Sequence, residues 1–344
     1  MTHGSLAQTH PLIPGRNRGQ RLTGTTLALA LAGALGLQAC NPERPPEVIA
    51  ADGVLCDISR RLAADDLRVQ CLLQPGDDPH QFRLTPQQSR GLSQAQLVLI
   101  NGYGLTPALA HQSKGKGKVK AVAVAERAVP NSPVLEAHPD EHGQDEHGHG
   151  NRDPHVWHDP DQAIALVQEA ARQLGQLKPA ARTRIAARAQ AMTATLQDLD
   201  GWNRRQLATI PAASPLATGH RGFASLARAY GLQELAVVDA TSNSDSLRPQ
   251  TFQAVVEQLR RERVPMLFTE QLPPGKALQR ISSLSGVPIA PEALVADGLA
   301  PDPSGDANLM ATLTANTCRI VNGLKGRCDR SSGQALVKRW QALR

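Results

Sequence analysis

Three histidines of this 344-residue chain each follow a Pro or a Gly: His80 after Asp78-Pro79, His155 after Asp153-Pro154, and His220 after Gly219. A preceding Pro or Gly helps hold an imidazole in one direction, and zinc favours three such nitrogens plus an oxygen in a tetrahedral shell. Each is read as following a strand. Ligands in open α/β sheets collect at the carboxyl ends of strands, so the three are expected to converge. Taken singly, each is as easily a surface or capping histidine; the repeated context favours the ligand reading.

A second concentration is "HPDEHGQDEHGHGNRDPHVWHDP", residues 138–160. His138, His142, His147 and His149 sit among Gly, Asp and Glu with little apolar material. Ligands on such a segment must order it on binding, at about 1–2 kcal/mol per residue. The composition therefore points to weak, multiple, exchangeable zinc binding, with a solvated charge run as the alternative. His158, beside a capping Asp159, is read as structural rather than as another ligand.

These side chains need a scaffold, and its elements can be read in order. "EVIAADGVL" reads as a buried strand, "CDISRRLAADD" as a helix and "LRVQCLLQP" as a second strand. "TPQQSRGLSQA" has an N-cap Thr with Pro at the first helical position, and "QLVLING" is a short apolar strand. Strands alternating with helices mean βα units and a parallel sheet. Residues 114–153 show no period and are expected to form a long surface loop. After Lys178-Pro179 an Ala-rich helix of about 29 residues would span roughly 43 Å. The βα rhythm then restarts with "SPLATGH", "LAVV", "PMLFTE" and "PIAPEAL" as strands, and "DANLMATLTANTCRIVNGL" and "SGQALVKRWQAL" are helices. The expected fold is α/β, two βα lobes with parallel sheets joined by one long helix. The lobes cover 48–178, including the His/Asp/Glu-rich loop 136–153, and 210–344, with the linking helix at 179–209.

The N-terminus reads as an export signal over 1–39: "RNRGQRLTG" precedes the apolar "LALALAGAL", which is shorter than the roughly 20 residues of a membrane span. Leu37-x-Ala39-Cys40 resembles a bacterial lipobox, in which Cys40 becomes the acylated N-terminus, and the Pro-rich 40–47 is a tether. An ordinary signal peptide is the alternative. Cys56, Cys71, Cys318 and Cys328 remain, an even count that suggests disulfides in an exported chain. Pairs 56–71 and 318–328 are the simplest of three connectivities, and no spacing makes a zinc knuckle. Beyond residue 39, 34 basic and 31 acidic residues leave +3, too balanced for a nucleic-acid partner. Aromatics, at 3%, are too few for a stacking surface. Ser225 and Ser246 lack a nucleophile-elbow context, and there is no HExxH pair and no Gly-rich phosphate loop.

In order along the chain, "PGDDPHQFRLTP…LSQAQLVLINGYGL", "DPHVWHDP", "TGHRGFASLARAYGL" and "FTEQLPPGKALQRISSLSGVPI" resemble the motifs of the cluster A-I solute-binding proteins, the zinc and manganese receptors of bacterial ABC uptake systems. The resemblance runs from about Val48 to Leu324. It implies two βα lobes on a rigid linking helix with the metal between them. His80, His155 and His220 match the first three ligands, and Asp297 in "LVADGLAP" matches the fourth. Glu270 matches an acid near the cleft. Trp157 and Phe223 are expected to pack beside the ligands. This sequence departs from the pattern in three places: "GDANLM" stands for a Gly-x-Thr-Tyr stretch, "DATSNSDSLRP" replaces a Pro-Glu-rich turn, and His158 stands where the family usually has an apolar residue.

The resemblance implies a receptor that is not an enzyme: a monomer tied to the membrane through Cys40, delivering Zn²⁺ to a permease with its ATPase. A nitrogen-rich shell and the His-rich loop favour zinc, with manganese as the alternative. Two other classes remain in view. A zinc buffer would work through the loop alone, and a zinc hydrolase would need an open coordination position and a general base.

Overall fold

Val48–Ala50 forms the first strand (β1), buried along its length, and Asp52 ends it. The Asp52 carboxylate accepts the Leu55 N–H at 2.9 Å and caps helix α1 (Gly53–Ala63). The computed structural model describes residues 45–109, 120–135, 152–211, 214–238 and 249–343. The expected signal segment, Cys40, Ser246 and histidines 138, 142, 147 and 149 lie outside the described residues, as does most of the tether and of the 136–153 loop.

Strands β2 (Val69–Cys71), β3 (Leu97–Ile100) and β4 (Lys120–Ala123) complete a parallel sheet of order β2-β1-β3-β4. Val48 stands opposite Val69 on one side and Leu97 on the other. Helix α2 (Pro86–Gln94) begins as its sequence dictates: Thr85 and Gln88 form a reciprocal capping box ahead of Pro86. β4 and helix α3 (Val124–Ala128) correct the expectation of one unbroken loop over 114–153. Lys-Gly repeats hide the strand in sequence, yet the "AVA" that follows them pairs with β3, opposing Ala121 to Val98 and Val122 to Leu99.

Helix α4 (Pro160–Leu177) is capped by Asp159, and helix α5 (Arg182–Leu207) follows a short turn at Pro179–Ala181. Its 26 residues span about 39 Å. Near its start, Arg188 hydrogen-bonds the Leu62 carbonyl and pairs with Asp66 at 2.7 Å. Near its end, Asn203 bonds the Tyr230 hydroxyl and the Thr317 hydroxyl. The long helix is thus gripped at opposite ends by different lobes.

The second lobe has strands β5 (Leu216–Thr218), β6 (Glu234–Ala236) and β7 (Leu267–Phe268), parallel in the order β6-β5-β7. Helices α6 (Ala224–Tyr230), α7 (Pro249–Arg261) and α8 (Lys276–Ser285) connect and flank them. The expected strand in "PIAPEAL" is reduced to one bridge between Leu267 and Ile289, because Pro288 and Pro291 cannot donate to a ladder.

Helices α9 (Leu309–Gly323) and α10 (Arg330–Gln341) are expected to complete the second lobe, but Leu336, Val337 and Trp340 of α10 join the core of the first, and α9 is shared, with Leu309, Met310 and Leu313 in the first core and Ile320 and Val321 in the second. Trp340 is fully buried, and its indole N–H donates to Asp57 Oδ2 at 2.7 Å. The same oxygen accepts the Leu309 N–H, while Arg61 pairs with Asp57 Oδ1 and bonds the Trp340 carbonyl. A buried tryptophan needs a partner for its N–H, and α1 supplies it. Disulfides join Cys56 to Cys71 and Cys318 to Cys328, with Cα separations of 5.5 and 5.1 Å. Among the described residues no helix is long and apolar enough to cross a membrane.

Candidate metal centre

Two of the histidines are aimed by the same local device. In Asp78-Pro79-His80 and in Asp153-Pro154-His155, the aspartate Oδ1 accepts the N–H of the histidine two residues on, at 2.8 and 2.9 Å. This Asx turn and the fixed proline φ are local consequences of the D-P-H sequence. Their wider settings differ. His80 lies in the long connection after β2 and is partly exposed, whereas His155 is buried at the start of a 3-10 turn (Val156–His158). Among the described residues no strand leads into His155, contrary to expectation; only an isolated bridge of Arg152 to Val134 stands just before it. It is placed instead by Asn101 at the end of β3, whose amide donates to the Pro154 carbonyl at 2.9 Å.

Asp153 does more than make a turn. Its Oδ1 also stands 2.9 Å from His155 Nδ1, and its Oδ2 accepts both the N–H and the hydroxyl of Ser225, at 3.0 and 2.6 Å. Burial would raise this carboxyl, but the bonds from His155 and Ser225 outweigh it and hold the group below the usual range. An ionised Asp153 can only accept, so the His155 proton belongs on Nδ1 and Nε2 is turned to the centre. A histidine whose second nitrogen donates to a carboxylate is a well-oriented metal ligand. Neither Asn101 nor the role of Ser225 was read from the sequence. Asn directly after the apolar "LVLI" was the available signal for the first; Ser225 carries none, because its partner lies on the other lobe.

His220 follows β5, and Glu270 follows β7, the neighbouring strand. Glu270 Oε1 accepts the Gly219 N–H at 3.1 Å and lies 3.8 Å from His220 Nδ1. The second distance exceeds hydrogen bonding, so Glu270 acts on the ring through its charge. A Cβ at position 219 would fall 2.2 Å from Glu270 Oε2, which is why glycine stands there. Burial would lower His220, but the Glu270 and Asp297 carboxylates outweigh it and raise it. His220 Nε2 is buried with no hydrogen-bond partner among the described residues.

Asp297 sits among the three rings. Its Oδ1 lies 2.8 Å from His155 Nε2 and 3.2 Å from His80 Nε2, and its Oδ2 lies 3.6 Å from His220 Nε2. His80, His155 and Asp297 offer donor atoms all within 4.8 Å of one another; His220 falls outside that grouping and approaches it at Asp297 Oδ2, 3.6 Å from its Nε2. Burial would raise the Asp297 carboxyl, but His155 and His80 hold it well below the ordinary value. Asp297 and Asp153 together raise His155 to about 10 against the lowering effect of burial. A tetrahedral shell with bonds of about 2.0–2.1 Å has ligand–ligand edges of about 3.3 Å, and the three separations straddle that length. A cavity of about 560 Å³ opens beside His220 and Asp297, lined also by Asp77, Asp78 and Glu270. Acidic walls of this kind concentrate cations.

Trp157 and Phe223 are fully buried, Trp157 with its ring 5.5 Å from His155 and Phe223 with its ring 4.7 Å from His158. His158 is buried as well, with Nε2 3.0 Å from the Ala296 carbonyl, and does not join the donor set. Burial, with the His155 charge next to it, lowers His158 to about 4, so it is neutral.

Comparison with known proteins adds a family to this geometry. The family described as "Zinc-uptake complex component A periplasmic" matches residues 48–323. The chain belongs to this family. The manganese ABC transporter substrate-binding lipoprotein PsaA of Streptococcus anginosus is 24% identical over 316 residues, covering 88% of this chain and 98% of that protein. The zinc-binding protein TroA of Treponema pallidum is 27% identical over 268 residues, covering 76% of this chain and 83% of that protein. A solved structure of the T. pallidum periplasmic zinc-binding protein TroA superposes with a TM-score of 0.70 at 26% identity, covering 82% of this chain and 99% of that one. As a member of this family, the chain is an extracytoplasmic metal-binding receptor of an ABC transporter, and its relatives are substrate-binding proteins rather than enzymes.

Proposed function

We propose that this chain is a high-affinity zinc receptor that holds Zn²⁺ with His80, His155, His220 and Asp297 and delivers it to an ABC permease with its ATPase. The observation that carries this reading is the donor set: three imidazole nitrogens facing one carboxylate, with Nδ1 of His155 already committed to Asp153. Nitrogen-rich shells suit zinc, whereas harder, oxygen-rich shells suit manganese. Manganese is the second reading, supported by relatives named for that ion. Replacing His220 with Glu should shift preference from zinc toward manganese under the zinc reading.

Around this site the proposal places a signal over 1–39, a lipid anchor at Cys40 with a tether to residue 47, and a monomer of two lobes (48–178 and 210–344) joined at 179–209. His138, His142, His147 and His149 form a separate low-affinity collector in the 136–153 loop. The ion passes through unchanged, so the reading implies no catalysis.

Isothermal titration of the mature protein should show one tight zinc site that disappears in His80→Ala and survives deletion of residues 136–151. Normal zinc binding by His80→Ala, His155→Ala and His220→Ala would refute the assignment. Loss of nearly all capacity on deleting the loop would point instead to a buffer.

A further inference from the structure

His158 lies one turn past His155, at a position where the family resemblance leads one to expect an apolar side chain. Only 1% of it is exposed, and its ring packs 4.7 Å from Phe223 and 5.5 Å from Trp157. Its Nε2 stands 3.0 Å from the Ala296 carbonyl. A carbonyl only accepts, so Nε2 carries the ring proton and Nδ1 keeps a bare lone pair. That Nδ1 is buried with no hydrogen-bond partner among the described residues. An unpaired buried acceptor destabilises a fold, and a leucine of similar size would remove it only by giving up the bond to the Ala296 carbonyl. The histidine is therefore a poor choice if its task is to fill space.

Ala296 immediately precedes Asp297. Two residues beyond the aspartate, the Leu299 carbonyl accepts the Gly76 N–H at 3.1 Å. The short segment carrying Asp297 is thus held on both sides by residues of the first lobe, His158 before it and Gly76 after it. Gly298 between them has φ of +101°, a left-handed turn that leaves Asp297 projecting toward the rings and that glycine adopts without strain. On the far side, Asn316 of α9 bonds both the N–H and the carbonyl of Val295, at 3.0 and 2.8 Å. What remains for His158 is the carbonyl next to the carboxylate itself.

We infer that His158 is a positioning residue for Asp297: its Nε2–H holds the Ala296 carbonyl and so fixes the carboxylate against the three imidazoles. The inference rests on the metal-receptor reading of the centre. Its consequence is kinetic. A backbone movement that withdraws Asp297 from the rings must break the His158–Ala296 bond, so His158 slows release of the ion.

The test uses the mature chain, with zinc affinity from chelator competition and zinc release from stopped-flow chelator capture. Removing an outer partner of a metal ligand weakens binding about 10–100-fold. His158→Leu should show a loss of this size, expressed as faster release, while the melting temperature of the metal-free protein changes little, because the unpaired Nδ1 disappears as the Ala296 carbonyl loses its donor. His158→Gln, whose amide also donates, should recover most of the affinity. In an Asp297→Ala background His158→Leu should add no further loss, because the residue acts through Asp297. Unchanged release in His158→Leu, an equal loss in the Asp297→Ala background, or a lowered melting temperature with no rescue by Gln would overturn the inference while leaving the receptor reading intact. Absence of zinc binding by the unsubstituted chain would overturn the reading, and the inference with it.

Discussion

Replacing Asp153 with Asn tests whether the centre is built by one buried carboxylate linking the two lobes. Asp153 accepts two bonds from His155 on Oδ1 and two from Ser225 on Oδ2. An amide offers a single accepting atom, so one of these pairs must face an NH₂ group. Losing buried bonds to a charged acceptor costs about 1.5–3 kcal/mol each, part of which the Ser225 hydroxyl recovers by turning to accept. We expect the metal-free variant to lose about 2–4 kcal/mol of stability in urea denaturation. His155 also loses the partner that fixes its proton on Nδ1, and such changes weaken metal binding about 10–100-fold, or about 1.4–2.8 kcal/mol. Ser225→Ala separates the two effects. It removes only the hydroxyl bond, so it should cost about 1.5–3 kcal/mol of stability and leave zinc affinity within about threefold. The reasoning fails if Asp153→Asn binds zinc as tightly as the unsubstituted chain. It fails equally if Ser225→Ala loses as much affinity as Asp153→Asn.

Three further outcomes are expected. Gly219→Ala places a Cβ 2.2 Å from Glu270 Oε2, so it should displace Glu270 or the His220 loop and weaken zinc binding about tenfold, with relief in Gly219→Ala/Glu270→Ala; unchanged chelator competition would contradict this. Burial raises the Asp52 carboxyl to about 6 despite the Leu55 N–H bond. The folded chain therefore holds an extra proton between the ordinary 3.8 and about 6, and stability falls as pH rises through that window. Asp52→Asn keeps the capping oxygen and cannot ionise, so its stability relative to the unsubstituted chain should improve by about 2.5 kcal/mol between pH 4 and pH 7.5; a flat difference in urea titrations across that range would refute it. Replacing Cys56 and Cys71 with Ser opens a loop with a sequence separation of 15 and should cost about 3 kcal/mol in denaturant, with α1 and β2 losing their tie. A variant as stable as the parent would show that the apolar contacts between α1 and β2 suffice.

Much of the scaffold was legible because its signals are local. The Thr85 capping box, the Asp159 cap, the two D-P-H turns and the short apolar runs of β1 and β3 need no partner to be recognised. β4 was missed because three small apolar residues after a Lys-Gly run become a strand only by pairing with β3. The tail helices are expected in the second lobe, yet α10 and the first half of α9 pack on the first, because an amphipathic face in sequence does not say what will cover it. Trp340 found Asp57, 283 residues away.

The centre divides along the same line. Sequence by itself determined which imidazoles were available and, through Pro79, Pro154 and their aspartates, which way two of them leave the backbone; those are bonds between residues two apart. Tertiary structure decided the rest. It set Asp297 among the three rings, closed Asp153 onto Ser225, brought Glu270 beside Gly219 and turned His158 to the Ala296 carbonyl. Each of these joins segments 51 to 217 residues apart, and such distances are fixed only when two sheets and a long helix pack into one body.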